Sequence, residues 1–336
     1  MPMPPSPNLF QKNVAKMAQS KFFRSYLERP YLLMIIWIWR RLPRRLFTLR
    51  PVRAYGVHLH HLVQRNAVRS QSTCTYFFRN RPELRLLTRL LEQKERGSTL
   101  DVTVLGCSKG AEVYSISYAI RCARPDMTVN LRALDISKDI LEFAEAGLYS
   151  LKSEDQSGGS SSDSLALRED VAMYTAKDQP SSIFECMSPA EMEEMFEREE
   201  DQVRVKPRFR EGISWSLGNA EDRCLVDAIG LQDVVVANRF LCHMAPNEAE
   251  RCLRNLARLV KRGGYLFVSG VDLAVRSKVA RELGWRPVTE LIREIHEGDQ
   301  PLRLVWPLNY WGLEPFDQER ADWKLRYASV FQVVNV

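Results

Sequence analysis

The chain has 336 residues, is 45% hydrophobic and 27% charged, and carries a formal net charge of +6. That composition fits a soluble chain able to bury one large core or two modest ones. Its seven cysteines, at 74, 107, 122, 186, 224, 242 and 252, are odd in number and scattered, which favours reduced thiols over a disulfide frame. With no Cys-x-x-Cys or His-x-x-x-His spacing, no metal is expected.

The first ten residues, four of them proline, read as a disordered tail. Residues 21–70 hold eleven Lys or Arg and one acid, Glu28, so this stretch is +10 and the remainder of the chain is −4. Within it, Tyr31 to Trp39 is a run of nine apolar residues, too short to span a bilayer. The next segment, Arg40 to Phe47, interleaves arginines with apolar residues. Residues 1–70 are therefore set apart as a tail and a basic helical arm. Two readings of the arm stay open: contact with a membrane surface or an acidic partner through residues 21–53, or a helix packed on the rest of the chain with solvated arginines. A basic stripe alone gives only nonspecific phosphate affinity, so no specific nucleic acid partner is expected. A signal peptide is not expected either, because the apolar run is internal.

Pro82 to Arg96 reads as a helix leading to the strand Val102 to Gly106. The turn Cys107 to Gly110 follows, then a helix over Glu112 to Arg121. Glycines at 106 and 110 allow close approach of a ligand to the backbone. Glu112, on the first helical turn, suits a cationic ligand group rather than a phosphate. The next strand, Leu131 to Leu134, ends in Asp135, placed to accept ribose hydroxyls. Together these features point to an adenosyl cofactor. Ser137 to Ala146 continues as a helix. Ser153 to Ser164, with six serines and Gly158-Gly159, reads as a linker. The capping box Ser188-Pro189-x-Glu191 starts a helix expected to reach about Glu199. Strand Val234 to Ala237, helix Pro246 to Val260, strand Tyr265 to Ser269 and a last strand over Arg326 to Val334 complete the series. The alternation predicts an α/β, doubly wound, mostly parallel sheet, with ligands at the carboxyl ends of the strands. The expected divisions are 71–150 and 213–336 for the two halves of the sheet domain and 151–212 for a linker and small helical insert, with an aromatic-rich loop at 296–326.

Four ordered blocks resemble the CheR-type chemotaxis receptor methyltransferases. Thr73-Cys74-Thr75-Tyr76-Phe77-Phe78-Arg79 is similar to that family's N-x-T-x-F-F-R, and Ser108 to Ser115 to its S-T-G-E-E-P-Y-S. Asp135-Ile136 with Ala144-x-x-Gly147-x-Tyr149 is similar to its D-I…A-x-x-G-x-Y. Gly218-Asn219-Ala220 and Asp233 to Asn238 are similar to its N-L and F-D-x-I-F-C-R-N segments. The blocks span about residues 70 to 290. The resemblance implies a Rossmann-like class I methyltransferase fold and S-adenosyl-L-methionine as cofactor. It also implies transfer of a methyl group to glutamate side chains of a protein. By resemblance Glu112 holds the amino acid end of the cofactor, Asp135 the ribose, and Asn219 with Ala220 the adenine. Thr73, Thr75, Arg79 and Asn238 supply further contacts around the turn at Gly106 and Gly110. Read alone, Asn219 and Asn238 would be asparagines satisfying their own turns. Arg79 is the residue expected to act in catalysis, since its fork can orient a carboxylate bidentately. A carboxylate acceptor is already ionised at neutral pH, so the reaction would need alignment and exclusion of water rather than a base.

The departures bear on the acceptor. Where the family has R-N-x-x-x-Y-F, this chain has Ala237-Asn238-Arg239-Phe240-Leu241-Cys242-His243, losing an arginine and a tyrosine. Arg239 is positioned to replace the guanidinium, and His243 is a candidate base for an amine or hydroxyl acceptor. The insert in some relatives grips a receptor tail, but nothing in 150–212 marks that function. The expectation is a protein carboxyl O-methyltransferase in the cytoplasm, with peripheral membrane contact left open. The alternatives are a small-molecule N- or O-methyltransferase and a non-catalytic cofactor-binding sensor or adaptor.

Overall fold

The computed structural model describes residues 29–67, 69, 71–151 and 182–334. The proline-rich tail and the serine-rich stretch 153–164 lie outside the described residues. The chain divides into two compact units, one made of the residues up to Ala67 with Trp306–Gly312, the other of Val68–Val305 with Leu313–Val336.

The smaller unit pairs helix α1 (Arg29–Trp39) with helix α2 (Arg50–Asn66) through a short turn of helix at Arg44–Thr48. Leu32, Ile36 and Trp39 of α1 meet Leu59, Leu62 and Val63 of α2 and Trp306 in a small core. Spacing of three and four residues on each helix explains why those side chains share a face. Gly56 admits the indoles against α2: a Cβ there would stand 2.8 Å from the Trp39 ring and closer still to Trp306. Trp306 and its neighbours thus group with the basic arm, while the rest of the aromatic-rich stretch 296–326 belongs to the larger unit.

In the larger unit, helix α3 (Arg81–Leu91) precedes β1 (Thr99–Leu105), α4 (Ala111–Ala123), β2 (Thr128–Asp135) and α5 (Lys138–Ala146). Strands β3 (Leu148–Ser150), β4 (Phe196–Glu199) and β5 (Gln202–Val205), with helix α6 (Pro189–Met195), make a small antiparallel sheet ordered β3-β5-β4. The chain returns through β6 (Ile213–Leu217), β7 (Gln232–Val236), α7 (Pro246–Leu259) and β8 (Val260–Phe267). It closes with α8 (Leu273–Glu282), β9 (Arg286–Pro287), α9 (Trp323–Tyr327) and β10 (Val330–Gln332). The main sheet is ordered β6-β2-β1-β7-β8-β10-β9. Strands β6, β2, β1, β7 and β8 are parallel, and β10 runs antiparallel to both its neighbours. Val102, Val104, Leu131, Ala133, Val234 and Val236 are all buried, as befits parallel strands covered on both faces. This is a Rossmann-like, doubly wound sheet. Its strand order reverses between β1 and β7, where the carboxyl ends open a crevice.

Two elements differ from the sequence expectation. The helix from Pro189 stops at Met195, because Phe196 is buried and Glu200, in a left-handed conformation with φ of 52°, turns the chain back into β5. The glutamate-rich segment has helix propensity, but burying Phe196, Val203 and Val205 with Phe77 and Tyr149 outweighs it. The insert is therefore built on a three-stranded sheet with one short helix. At the other end, residues 326–334 are not one strand: Arg326 and Tyr327 finish α9, and only Val330–Gln332 pair with β8.

The start of β7 is pinned by Asp233, which accepts from Lys94 Nζ at 2.5 Å, Lys261 Nζ at 3.0 Å and the Asp101 backbone N–H at 3.0 Å. Asp233→Ala takes an acceptor from all three donors, leaving Lys261 only Asp101, and is expected to cost about 2–3 kcal/mol. Urea unfolding checks this as a lower midpoint with an unchanged slope.

Candidate functional site

The turn after β1 is held by backbone geometry. Gly106, Ser108 and Gly110 have φ of 64°, 49° and 83°, and Gly110 caps the start of α4. Ser108 N–H donates to Asp135 Oδ2 at 2.9 Å and Ser137 N–H to Oδ1 at 3.2 Å, so each oxygen of Asp135 keeps a free lone pair. Ser108 Oγ donates to the Thr73 carbonyl at 2.9 Å, tying the 73–79 segment to the turn. The glycines also serve packing. A Cβ at Gly106 would lie 2.8 Å from the Phe240 ring, and one at Gly110 about 3.1 Å from Ala144 and Trp215.

Arg79 is aimed by the pair before it. Phe77 is fully buried, stacked on Phe184 at 5.7 Å and edge-on to Tyr149 and Phe196. Phe78 takes φ of 52° and its N–H donates to Ser115 Oγ at 3.0 Å. That kink delivers Arg79 to a cavity also lined by Tyr76, Glu83, Glu112, Asn238, Arg239 and Asp299 over an apolar floor of Leu84, Leu87, Ile116, Val236 and Phe267.

Asn238 organises this cavity. Its Nδ2 donates to Glu83 Oε1 at 2.7 Å and to Glu112 Oε1 at 2.9 Å, while its Oδ1 accepts from the Ser269 N–H at 2.9 Å. Both N–H bonds of the amide thus meet a carboxylate, and its oxygen is held by the backbone that follows β8. Arg79 Nη2 lies 3.7 Å from Glu112 Oε1, and Arg239 pairs with buried Asp299. Arg239 has φ of 69°, and Gly270 makes room for it, since a Cβ there would lie 2.7 Å from its Cα. Burial and the Glu112 charge, opposed by the Asn238 hydrogen bond, push the Glu83 carboxyl up to about 7. Burial and then the Arg79 charge lower Arg239 to about 10, leaving it cationic at neutral pH.

The other sequence candidates are distributed around this centre. Thr75 and Ala220 are buried, whereas Asn219 is exposed and its Oδ1 accepts from the Glu221 N–H at 3.0 Å, closing its own turn. Ala237 and Cys242, the two family departures, are both buried. His243 does not line the cavity, and burial with the Arg239 and Arg69 charges lowers it to about 4. Glu83, Asp299 and Tyr76 were not expected here. Asn80-Arg81-Pro82-Glu83 reads as a capping box, and Asn80 does accept from Glu83 N–H, but the Glu83 carboxyl turns inward onto Asn238. Ile136 and Leu217, at the carboxyl ends of β2 and β6, were also missed: they are 54% and 59% exposed although apolar. Among the described residues, no group of His, Cys, Asp or Glu is arranged to hold a metal.

Residues 73–157 match the CheR methyltransferase, SAM binding domain family, and residues 184–268 match the methyltransferase domain family. Over residues 73–157 the chain is similar to the CheR-type methyltransferases. It is 26% identical over 192 residues to an uncharacterized 104.1 kDa protein from the hypE 3′ region of Rhodobacter capsulatus, covering 56% of this chain and 17% of that relative's length. Similar solved structures include the methyltransferase domain of bacterial CtHen1, at 12% identity and a TM-score of 0.38 over 76% of this chain and 99% of that one. Another is magnesium protoporphyrin IX methyltransferase from Synechocystis, at 13% identity and a TM-score of 0.33 over 84% and 90%. NodS, an N-methyltransferase from Bradyrhizobium japonicum, follows at 13% and 0.32 over 63% and 78%. The CheR-type cofactor is S-adenosyl-L-methionine, and the donor set fits it. Glu83 Oε2 is buried with no hydrogen-bond partner, an acceptor suited to an ammonium group. Asp135 retains lone pairs for hydroxyl donors, and the exposed Ile136 and Leu217 offer apolar surface to a flat base.

Proposed function

We propose that this chain is a CheR-type methyltransferase that methylates carboxylate side chains of a protein. The observation that carries the reading is that two guanidinium groups, Arg79 and Arg239, line the same cavity as Glu112. In this reading Glu112 and Glu83 hold the ammonium end of the cofactor, Asp135 the ribose hydroxyls, and Ile136 and Leu217 cover the adenine. When bound, S-adenosylmethionine supplies an electrophilic methyl group on a sulfonium. The chain's own work is to orient the acceptor: Arg79 and Arg239 grip its carboxylate, Asp299 fixes Arg239, and the apolar floor keeps water away. Arg239 stands in for the guanidinium lost at Ala237. His243, lowered to about 4, is a poor proton acceptor for an amine or hydroxyl substrate. His243→Gln is accordingly expected to leave methyl transfer within about threefold, whereas a base mechanism demands a loss of about a hundredfold or more. Initial rates on the purified variant decide between them.

Glu83 makes cofactor binding depend on pH. Its carboxyl, at about 7, is largely protonated at pH 6, and an ammonium ligand favours the ionised form. Binding then releases a proton, so Kd is expected to fall about tenfold from pH 6 to pH 8 and to flatten above. Calorimetry in buffers of different ionisation enthalpy measures that proton, and Glu83→Gln removes both the release and the pH slope.

A further inference from the structure

Helix α1 is apolar all the way round, a pattern that calls for cover on every side. One arc, Leu32, Ile36 and Trp39, packs in the small core with α2. The opposite arc, Tyr31, Leu33, Met34, Trp37 and Ile38, is 38–57% exposed. At 11 residues the helix is about 16 Å long, roughly half the hydrocarbon thickness of a bilayer, so it cannot cross one. Among the described residues no helix is long and apolar enough to do so. From Arg29 to Asn66 the sequence contains eight arginines and no acidic residue. The Arg41 guanidinium stacks 3.6 Å from the Trp37 ring centroid and donates to the Trp37 carbonyl at 3.0 Å, placing positive charge at the edge of the exposed apolar face.

We propose that α1 lies in the surface of an anionic lipid bilayer, its exposed apolar arc among the upper acyl chains and the arginines that follow it at the phosphates. Tryptophan and arginine side by side suit the headgroup level, where a ring meets both apolar and polar surroundings. A second copy of the chain would bring eight positive charges against eight, and nucleic acid would answer the arginines but leave the apolar arc in water. An anionic bilayer satisfies both features at once.

The test is flotation of the full chain with vesicles of phosphatidylcholine alone and with roughly one third phosphatidylglycerol. Binding to the anionic vesicles is expected to exceed binding to neutral ones by at least about tenfold and to weaken with added salt. Met34→Glu with Trp37→Glu should abolish it, and Arg41→Gln should weaken it about fivefold, with thermal midpoints unchanged because these side chains are exposed. Absence of vesicle binding, equal binding to neutral vesicles, or binding indifferent to the Met34 and Trp37 changes would overturn the proposal. So would retention on duplex DNA without vesicle binding, or a dimer that the Trp37 change dissolves.

Discussion

Asn238→Asp, which exchanges the NH2 of the amide for an oxygen of nearly the same size, is expected to disable the site more than any neighbouring isosteric change. The amide donates to two carboxylates, Glu83 at 2.7 Å and Glu112 at 2.9 Å. Hydrogen bonds to charged groups contribute about 1.5–3 kcal/mol each, and the aspartate would turn both attractions into repulsion inside a buried network. A loss of about 4 kcal/mol in stability and of at least about a hundredfold in cofactor affinity follows. The loss should be larger at pH 8 than at pH 5.5, because protonating one of the three carboxyls returns a hydrogen for the others to share. Urea unfolding at the two pH values, with calorimetric titration of the cofactor, measures both effects. Equal stability of mutant and parent at pH 8 would remove Asn238 from its organising place.

Arg79→Ala is expected to lower kcat by about 10²–10³-fold while cofactor affinity changes by less than about tenfold. The side chain is 12% exposed, lies over the Tyr76 ring at 5.6 Å and stays 3.7 Å from Glu112, a loose pair that leaves its fork available to an acceptor. Arg79→Lys should recover little, since a single ammonium cannot grip both oxygens of a carboxylate. Single-turnover rates with cofactor preloaded separate the two quantities. An Arg79→Ala protein that loses cofactor binding in proportion to its rate would assign the residue to the cofactor alone.

The parts of the site that were legible in the sequence are those fixed by local chemistry. A strand, two glycines and a helix start put Glu112 beside the turn, and an acid at the end of the next strand put Asp135 there too. Both depend on contacts within one strand-helix-strand unit. What stayed hidden depends on distant pairing or on a local pattern with two meanings. Arg239 and Asp299 are brought together by the fold across sixty positions, with no spacing to announce them. Glu83 sits where a capping box would use it, and only the approach of β7 from the other side reveals that its carboxyl belongs to the cavity. Ile136 and Leu217 read as ordinary strand-end residues until the register, Asp135 opposite Leu217, sets them side by side on an open edge. In the insert, glutamates favouring a helix masked a hairpin whose apolar side chains bury Phe77 and so aim Arg79.

The measurement that bears most directly on the acceptor is incubation of the purified protein with methyl-labelled S-adenosylmethionine and an extract of its own cells, followed by gel separation and mild alkali. A carboxyl methyltransferase yields a labelled protein band whose label leaves as methanol. Label that stays on protein through alkali, or that enters only small molecules, would contradict the reading of Arg79 and Arg239 as a clamp for a protein carboxylate.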